Sequence, residues 1–440
     1  MVTEPGELSA DDARILAMES AVLTGHTLKL IVLAPGEPLD LAALRASVLA
    51  RIADQPRARQ RIDAGGPEPR WVEASDFDVA RHVRRRAGAE CATWDDLLAV
   101  VGGLMSEHLD RSRPLWTLDL VGPLADGREA IAVRMHHAMV DGIAGMRFLE
   151  AILLDPDDAP MHAAGTREAD AAGPRHDAWR RLPAAVLREL GHPGAASPFD
   201  RPVTIARELA FATVPLLGLR EIGASRPARA TVNDVLLAVV AGGLHAWLGA
   251  RGGSRHLRAQ VPVSLHHRGE GTTDLGNRDS FLGVDLPLAE PDPLRRLDLI
   301  GRQTREEKQH DDPALMYDLF HALGRWGLAG EVAQRLADSS REFSVAISNV
   351  PGPRVAVSVS GRDVRDLYSS SEPAAGHVLR ISAISCADEM GVGFCSDPTA
   401  LPDMTGLAAA VAAAYRDLHA RATGSAADPP PGRPPKETTP

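Results

Sequence analysis

Ile131-Ala-Val-Arg-Met-His-His-Ala-Met-Val-Asp-Gly142 is the stretch on which the reading of this chain turns. Ile131, Val133 and Met135 alternate with Ala132, Arg134 and His136, the period of two expected of a half-buried strand. Asp141-Gly142 breaks the strand, and from Ile143 the apolar residues Ile143, Met146, Leu149 and Leu153 recur at helical spacing, with Asp141 well typed to cap the helix. His137 is thereby placed at a strand's end, carried by a rigid element yet facing a cleft, a good position for a group that moves protons. The local pattern admits three readings: a hydrogen-bonded core pair beside a helix cap, a metal site, or a general base at His137 with Asp141 fixing the turn. The metal reading is the weakest, because His-Glu-x-x-His is absent and no cysteine or carboxylate cluster brings a third ligand at a familiar spacing.

Outward from that stretch, 440 residues are long for one core and favour two domains. A net charge of -11 argues against a general nucleic-acid binder and against purely electrostatic attraction to anionic lipid. Cys91, Cys386 and Cys395 lack metal spacing and fit a reducing cytosol, as small buried hydrophobes. The amino terminus shows no basic stretch followed by an apolar core, so no signal peptide is expected. The longest apolar segment, Val235 to Ala250, is interrupted by two glycines and His245 and reads as a buried core helix, so any membrane contact is expected to be peripheral.

In chain order, strands are expected over Leu28–Leu33, around Trp71 and Val79, over Leu115–Val121 and over Ala130–His136, the last two joined at Ala125-Asp-Gly127 as a hairpin-like pair. Helices are expected over Leu39–Ala53 and Thr93–Leu109, with Thr93 as cap. Arg81-His-Val-Arg-Arg-Arg86 reads as a solvated edge, or else as a patch for phosphates or lipid headgroups. Residues 159–202 shift to Ala, Gly, Pro, His and Arg and read as a linker between a domain of residues 1–158 and one of residues 203–423. Within the linker, Trp179, Leu182, Val186 and Leu190 form one helical stripe, packed on the protein's own surface or lying on a membrane or lipid droplet; Phe211–Leu219 poses the same question. The second half should carry helices over Asn233–Leu248, Leu294–Lys308, Ala314–Leu336 and Pro402–Leu418, and strands over Leu257–Ser264, Phe281–Leu286, Phe343–Ser348, Arg380–Ser385 and Gly391–Cys395. Residues 424–440 read as a disordered tail. The fold class is therefore mixed α/β (α+β).

His136-His137-Ala-Met-Val-Asp141-Gly142 resembles the HHxxxDG motif of the coenzyme A-dependent acyltransferase superfamily. Pro114-Leu115-Trp116, Asn233-Asp234 and Asn349-Val-Pro351-Gly352-Pro353 resemble the PLW, ND and NVPGP segments of its bacterial wax ester synthase/acyl-CoA:diacylglycerol acyltransferase family, in the family's order. Leu8-Ser9 and Asp12 resemble the family's opening, although Ile15 stands where phenylalanine is usual, the segment around His26 matches only in part, and Ser385-Cys386-Ala387-Asp388 replaces a Ser-Tyr-x-Gly-like piece.

The resemblance implies two chloramphenicol-acetyltransferase-like domains with an active site in a tunnel between them. It implies an O-acyltransferase moving a long-chain acyl group from acyl-CoA to diacylglycerol, a long-chain alcohol or both, with acyl-CoA as co-substrate, no metal and no separate cofactor. His137 would be the general base. Asp141 would pair with a basic residue and hold the turn, Gly142 would permit close backbone approach or a positive φ, and His136 would orient the strand end. Asn233, Trp116 and Asn349 are the substrate-binding candidates, although Asn233 is equally a helix cap and Trp116 equally a core aromatic. Pro114, Leu115, Asp234, Pro351, Gly352 and Pro353 would shape the site. The chain is expected in the cytoplasm, in peripheral contact with the inner membrane face or lipid droplets. The competing functions are a related acyltransferase acting on a polyketide or glycolipid hydroxyl, and a catalytically lapsed lipid-binding protein.

Overall fold

The computed structural model describes residues 6–66, 68–86, 92–140, 142–155, 197–249, 257–264, 279–310 and 343–424. The amino-terminal part runs α1 (Ala10–Met18), β1 (His26–Leu33), α2 (Leu41–Arg51), β2 (Gln60–Asp63), β3 (Arg70–Glu73), α3 (Val79–His82), β4 (Val83–Arg85), α4 (Trp94–Met105), β5 (Trp116–Val121), β6 (Glu129–His136) and α5 (Gly142–Ile152). The later part runs β7 (Glu208–Pro215), α6 (Leu216–Ser225), α7 (Val232–Gly249), β8 (Leu257–Ser264), β9 (Asp279–Leu286), α8 (Pro293–His310), β10 (Val345–Val350), β11 (Ser358–Val359), β12 (Arg362–Ser371), β13 (Leu379–Cys386), β14 (Glu389–Ser396) and α9 (Met404–Thr423).

Two six-stranded sheets organise these elements, in the orders β11-β12-β1-β6-β5-β4 and β7-β14-β13-β10-β8-β9. The first is antiparallel except where β4 runs parallel to β5, and the second is mixed, with β10 parallel to both β13 and β8. In β1 the run His-Thr-Leu-Lys-Leu-Ile-Val-Leu is buried throughout, as suits a central strand paired on both edges. Ile31, Leu33, Val133 and Met135 pack under α2 and α5 with Val48, Phe148 and Leu149. The opposite face carries Leu28, Leu30 and Val32 against Leu97, Val101 and Leu104 of α4. Thr93 caps α4 in a full capping box with Asp96, as its sequence implied.

The division into consecutive units is not how the sheets are built. β11 and β12, from the segment 203–423, complete the first sheet, with Thr27 opposite Ser371 and Lys29 opposite Ser369. That strand was illegible because Arg-Asp-Val-Arg-Asp-Leu-Tyr-Ser-Ser-Ser carries no apolar alternation, yet its serine end is buried beside β1. The backbone of β12 also lies directly on β14. A Cβ at Gly391 would come within 2.3 Å of the Leu367 carbonyl oxygen, and one at Gly393 within 2.2 Å of that of Ser369.

Val79 opens a short helix capped by Asp78 rather than a strand, and β4 follows it. The basic run ends in β4, an edge strand of the first sheet, and its last three arginines are half-buried and ion-paired. Arg84 holds Asp119 through two bonds of 3.0 Å, Arg85 pairs with Glu129 at 2.8 Å, and Arg86 bridges Asp119 and Glu107. Helix α7 is long and apolar enough to cross a membrane, but most of it is buried in the fold, where a helix apolar all round belongs. Phe211–Leu219 is split between β7, an edge strand of the second sheet, and the start of α6. The Trp179–Leu190 stripe, the Ala314–Leu336 helix, Cys91, most of the linker and the tail beyond residue 424 lie outside the described residues.

Candidate active site at the histidine pair

Strand β6 ends at His136, and the chain turns immediately. The His137 N–H donates to the Gly25 carbonyl at 2.8 Å, the Met139 N–H to the His136 carbonyl at 2.9 Å, and the Ala138 N–H to Nδ1 of His136 at 3.0 Å. Gly25 adopts φ +70°, and a Cβ there would stand 2.3 Å from Nε2 of His136, so only glycine fits both the backbone and the ring. Its carbonyl is kept in place by Glu372, at the end of the first sheet's serine strand: the carboxylate accepts the N–H groups of Thr24 and Gly25 and approaches Arg207 at 3.4 Å.

Helix α5 starts at Gly142, where a Cβ would come within 2.8 Å of Val350 Cγ2 at the end of β10. Gly142 therefore serves close approach and not a positive φ. That contact sets the histidine turn against the second sheet. Asp141, read as helix cap and ion-pair partner, lies outside the described residues.

His137 is half-buried, and burial pushes its pKa down to about 3, with repulsion from Arg380 and Lys29 in the same direction. The imidazole is neutral at cellular pH and able to accept a proton. Lys29 is itself buried in β1, its ammonium donating to the Ser369 hydroxyl at 2.7 Å. The Thr27 hydroxyl donates to the Ser370 carbonyl at 2.9 Å and meets the Ser371 hydroxyl at 3.2 Å. Strand alternation sets Thr27 and Lys29 on the sheet face that carries Val133 and Met135, so a buried polar strip lies beside the end of β6. His26, opposite His136 in the β1–β6 ladder, is buried and held well below the usual histidine range by desolvation.

His136 is almost wholly buried, with Nε2 3.3 Å from a Glu19 carboxylate oxygen; that carboxylate also takes Arg111 at 2.6 Å. Burial raises the Glu19 pKa, but His136 and Arg111 outweigh it and leave the carboxyl below its ordinary value.

The other sequence candidates divide. Pro114 and Leu115 brace the turn from behind, since the Leu115 carbonyl accepts the His136 N–H at 3.0 Å. Trp116 is fully buried, donates Nε1–H to the Ala58 carbonyl at 2.9 Å and stacks on His82 at 4.6 Å, the surroundings of a core aromatic. Asn233 is not the helix cap. Thr231 and Asp234 exchange bonds of 3.2 Å and 2.8 Å in a capping box, and Asp234 also accepts from Thr304 at 2.6 Å. Asn233 stands half-buried in the first turn of α7, on the second sheet's side of the molecule.

Asn349 is half-buried near the end of β10, opposite Ala383 of β13. The Pro351-Gly352-Pro353 turn packs on the segment that departs from the family pattern: a Cβ at Gly352 would meet the Ser385 carbonyl at 2.1 Å, and the Ala387 N–H donates to the Pro353 carbonyl at 2.8 Å. Gly25, Glu19, Lys29, Arg380 and Glu372 went unread in the sequence. Of these, only Lys29 left a signal, as the single charge in an apolar strand. Among the described residues no cluster of three or more His, Cys, Asp or Glu side chains could hold a metal ion.

Two mixed sheets with a histidine pair at the end of a strand of one, set against the strand ends of the other, define a two-domain acyltransferase fold of the chloramphenicol acetyltransferase type. The solved wax ester synthase/diacylglycerol acyltransferase from Marinobacter aquaeolei superimposes with a TM-score of 0.69 at 23% identity, covering 94% of this chain and 99% of that one. The first condensation domain of the CDA synthetase gives 0.60 at 17% identity, covering 97% and 98%. In sequence, the wax ester synthase/diacylglycerol acyltransferase catalytic domain matches residues 8–192 and the WS/DGAT C-terminal domain residues 275–419. An O-acyltransferase WSD of Acinetobacter baylyi is 30% identical over 77% of this chain and 80% of its own length. A probable diacylglycerol O-acyltransferase of Mycobacterium tuberculosis is 29% identical over 85% and 87%. The chain belongs to the wax ester synthase/diacylglycerol acyltransferase family.

Proposed function

We propose that this chain transfers a long-chain acyl group from acyl-CoA to the hydroxyl of diacylglycerol or of a long-chain alcohol, giving triacylglycerol or wax ester, with His137 as the general base. The observation that carries this reading is the neutral, half-buried imidazole of His137, fixed by its backbone to Gly25 between two sheets. Nε2 of His137 takes the hydroxyl proton as the oxygen attacks the thioester carbonyl. The tetrahedral oxyanion then collapses, the C–S bond breaks, and the proton passes to the departing thiolate. A base held this low gives up its proton readily to a thiolate, whose conjugate acid ordinarily has a pKa of about 8.5. It gains a proton reluctantly, so removal of the alcohol proton accompanies attack and does not precede it. The cations that keep His137 neutral, Lys29 and Arg380, also favour negative charge developing on the carbonyl oxygen.

Direct transfer is supported by the state of the two cysteines among the described residues. Burial pushes the Cys386 thiol up to about 11 and the Cys395 thiol to about 12, so neither is a thiolate ready for acylation. The reading needs acyl-CoA only as co-substrate and no resident cofactor or metal. Its substrates are lipids, which supports a cytoplasmic enzyme working peripherally at a membrane face or lipid droplet. Leu217, 60% exposed on α6, is a candidate contact.

The test is product analysis with labelled palmitoyl-CoA, offered hexadecanol and diacylglycerol together. Label in wax ester or triacylglycerol, well above the acceptor-free background, supports the reading. Label only in free fatty acid overturns it.

A further inference from the structure

We infer that Glu19 is a positioning residue for the reaction: its carboxylate keeps the proton of His136 on Nε2 and so locks the ring that anchors the turn carrying His137. The inference rests on the reading of His137 as the base. Glu19 lies outside every motif, at the C-terminal cap of α1.

The tautomer follows from the bonding. Nδ1 of His136 lies 3.0 Å from the Ala138 nitrogen, a backbone N–H that can only donate, so Nδ1 must present its lone pair. With Nδ1 accepting, the ring carries its proton on Nε2, and Nε2 faces the Glu19 carboxylate at 3.3 Å. The ring is 1% exposed, so no bulk water replaces that acceptor. Glu19 is itself oriented by Arg111, which donates to one oxygen at 2.8 Å and 2.6 Å and to the Leu16 carbonyl at 2.9 Å. The chain of contacts thus runs from Arg111 through Glu19 and His136 to the Ala138 N–H, one residue past the base.

Without the carboxylate, Nε2–H is a buried donor with no acceptor, which is unfavourable and favours moving the proton to Nδ1. An Nδ1–H would oppose the Ala138 N–H, donor against donor, and the turn at His137 would loosen. Small misplacement of a base slows the chemical step more than it weakens substrate binding.

The experiment compares wild type, Glu19→Ala and Glu19→Gln in the full chain. It reads the His136 tautomer by 15N–1H NMR, and kcat and KM for palmitoyl-CoA. Glu19→Ala is expected to lower kcat by about 10-fold or more with KM changed by less than about 2-fold, and to lose the Nε2–H signature. Glu19→Gln, whose amide oxygen can accept from Nε2–H, is expected to recover both. A folded Glu19→Ala with wild-type kcat overturns the inference, as does equal loss in both variants with the tautomer unchanged. Should Glu19→Ala not fold, the wild type alone decides, because a proton on Nδ1 of His136 contradicts the arrangement outright. Failure of the base reading shows separately, as turnover surviving in His137→Ala with the His136 tautomer as described.

Discussion

Gly142 and Val350 meet across the two sheets, so closely that a Cβ on the glycine would stand 2.8 Å from Cγ2 of the valine. One residue opens the helix behind the histidine pair, and the other ends the strand that leads into Pro351-Gly352-Pro353. The contact sets how near the second sheet comes to His137. Gly142→Ala should push the two apart, costing about 1–3 kcal/mol of stability as overpacking and reducing kcat as well. Adding Val350→Ala removes the opposing methyl groups and should restore part of both. A double variant no better than the single one in thermal melting and turnover would show that the contact is not what the glycine serves.

Lys29 and Arg380 repel a proton on His137. Lys29→Met should therefore raise the His137 pKa, and a 13C or 15N NMR titration of the ring measures it directly. The wild-type ring should show no titration between pH 5 and 8. A wild-type midpoint near the ordinary value of about 6.5 would contradict the electrostatics described.

Acid stability follows from the same groups. Burial is the main cause that lowers His26 well below its ordinary value, His82 to about 4 and His137 to about 3. Each binds a proton in the unfolded chain near pH 5.5 but not in the folded one, so stability is full above about pH 6.5 and falls as pH drops below it. Glu150 acts oppositely: burial raises it to about 7, so near pH 5.5 it holds a proton only when folded. These four groups give a net uptake of about two protons on unfolding, a slope of roughly 2.7 kcal/mol per pH unit. Urea midpoints between pH 5 and 7 check the sign, and stability rising toward acid would refute it.

Trp116 should behave as core. Trp116→Ala is expected to cost about 3–5 kcal/mol, while Trp116→Phe, which loses the bond to the Ala58 carbonyl, should cost about 1 kcal/mol with KM for acyl-CoA unchanged. A large KM change in a Trp116→Phe protein of near-normal stability would return the residue to substrate binding.

What the sequence revealed follows the strength of local signals. β6 was legible from the alternation around Met135, α4 from the Thr93 cap, and α7 from a long apolar run interrupted by two glycines and His245. β12 was hidden, because its buried end is serine and its stabilising partners, Thr27 and Lys29, lie some 340 residues away. The same holds within the site. His136, His137 and Gly142 announce themselves as a motif, whereas Glu19 matters only through His136, Gly25 through its contacts with both histidines, and Glu372 through its hold on the Thr24-Gly25 backbone. At Trp116 and Asn233 a motif stands beside structural surroundings. The motif marks them, but the Trp116 environment is structural and the helix cap beside Asn233 belongs to Thr231 and Asp234.

The central claim is that His137 moves the proton in acyl transfer to an alcohol. The most direct measurement is coenzyme A release from palmitoyl-CoA with and without hexadecanol or diacylglycerol, in wild type and in a folded His137→Ala. The account predicts acceptor-dependent release in the wild type and a loss of about 10²–10⁴-fold in the variant. Acceptor-dependent release persisting at the wild-type rate in His137→Ala would contradict it.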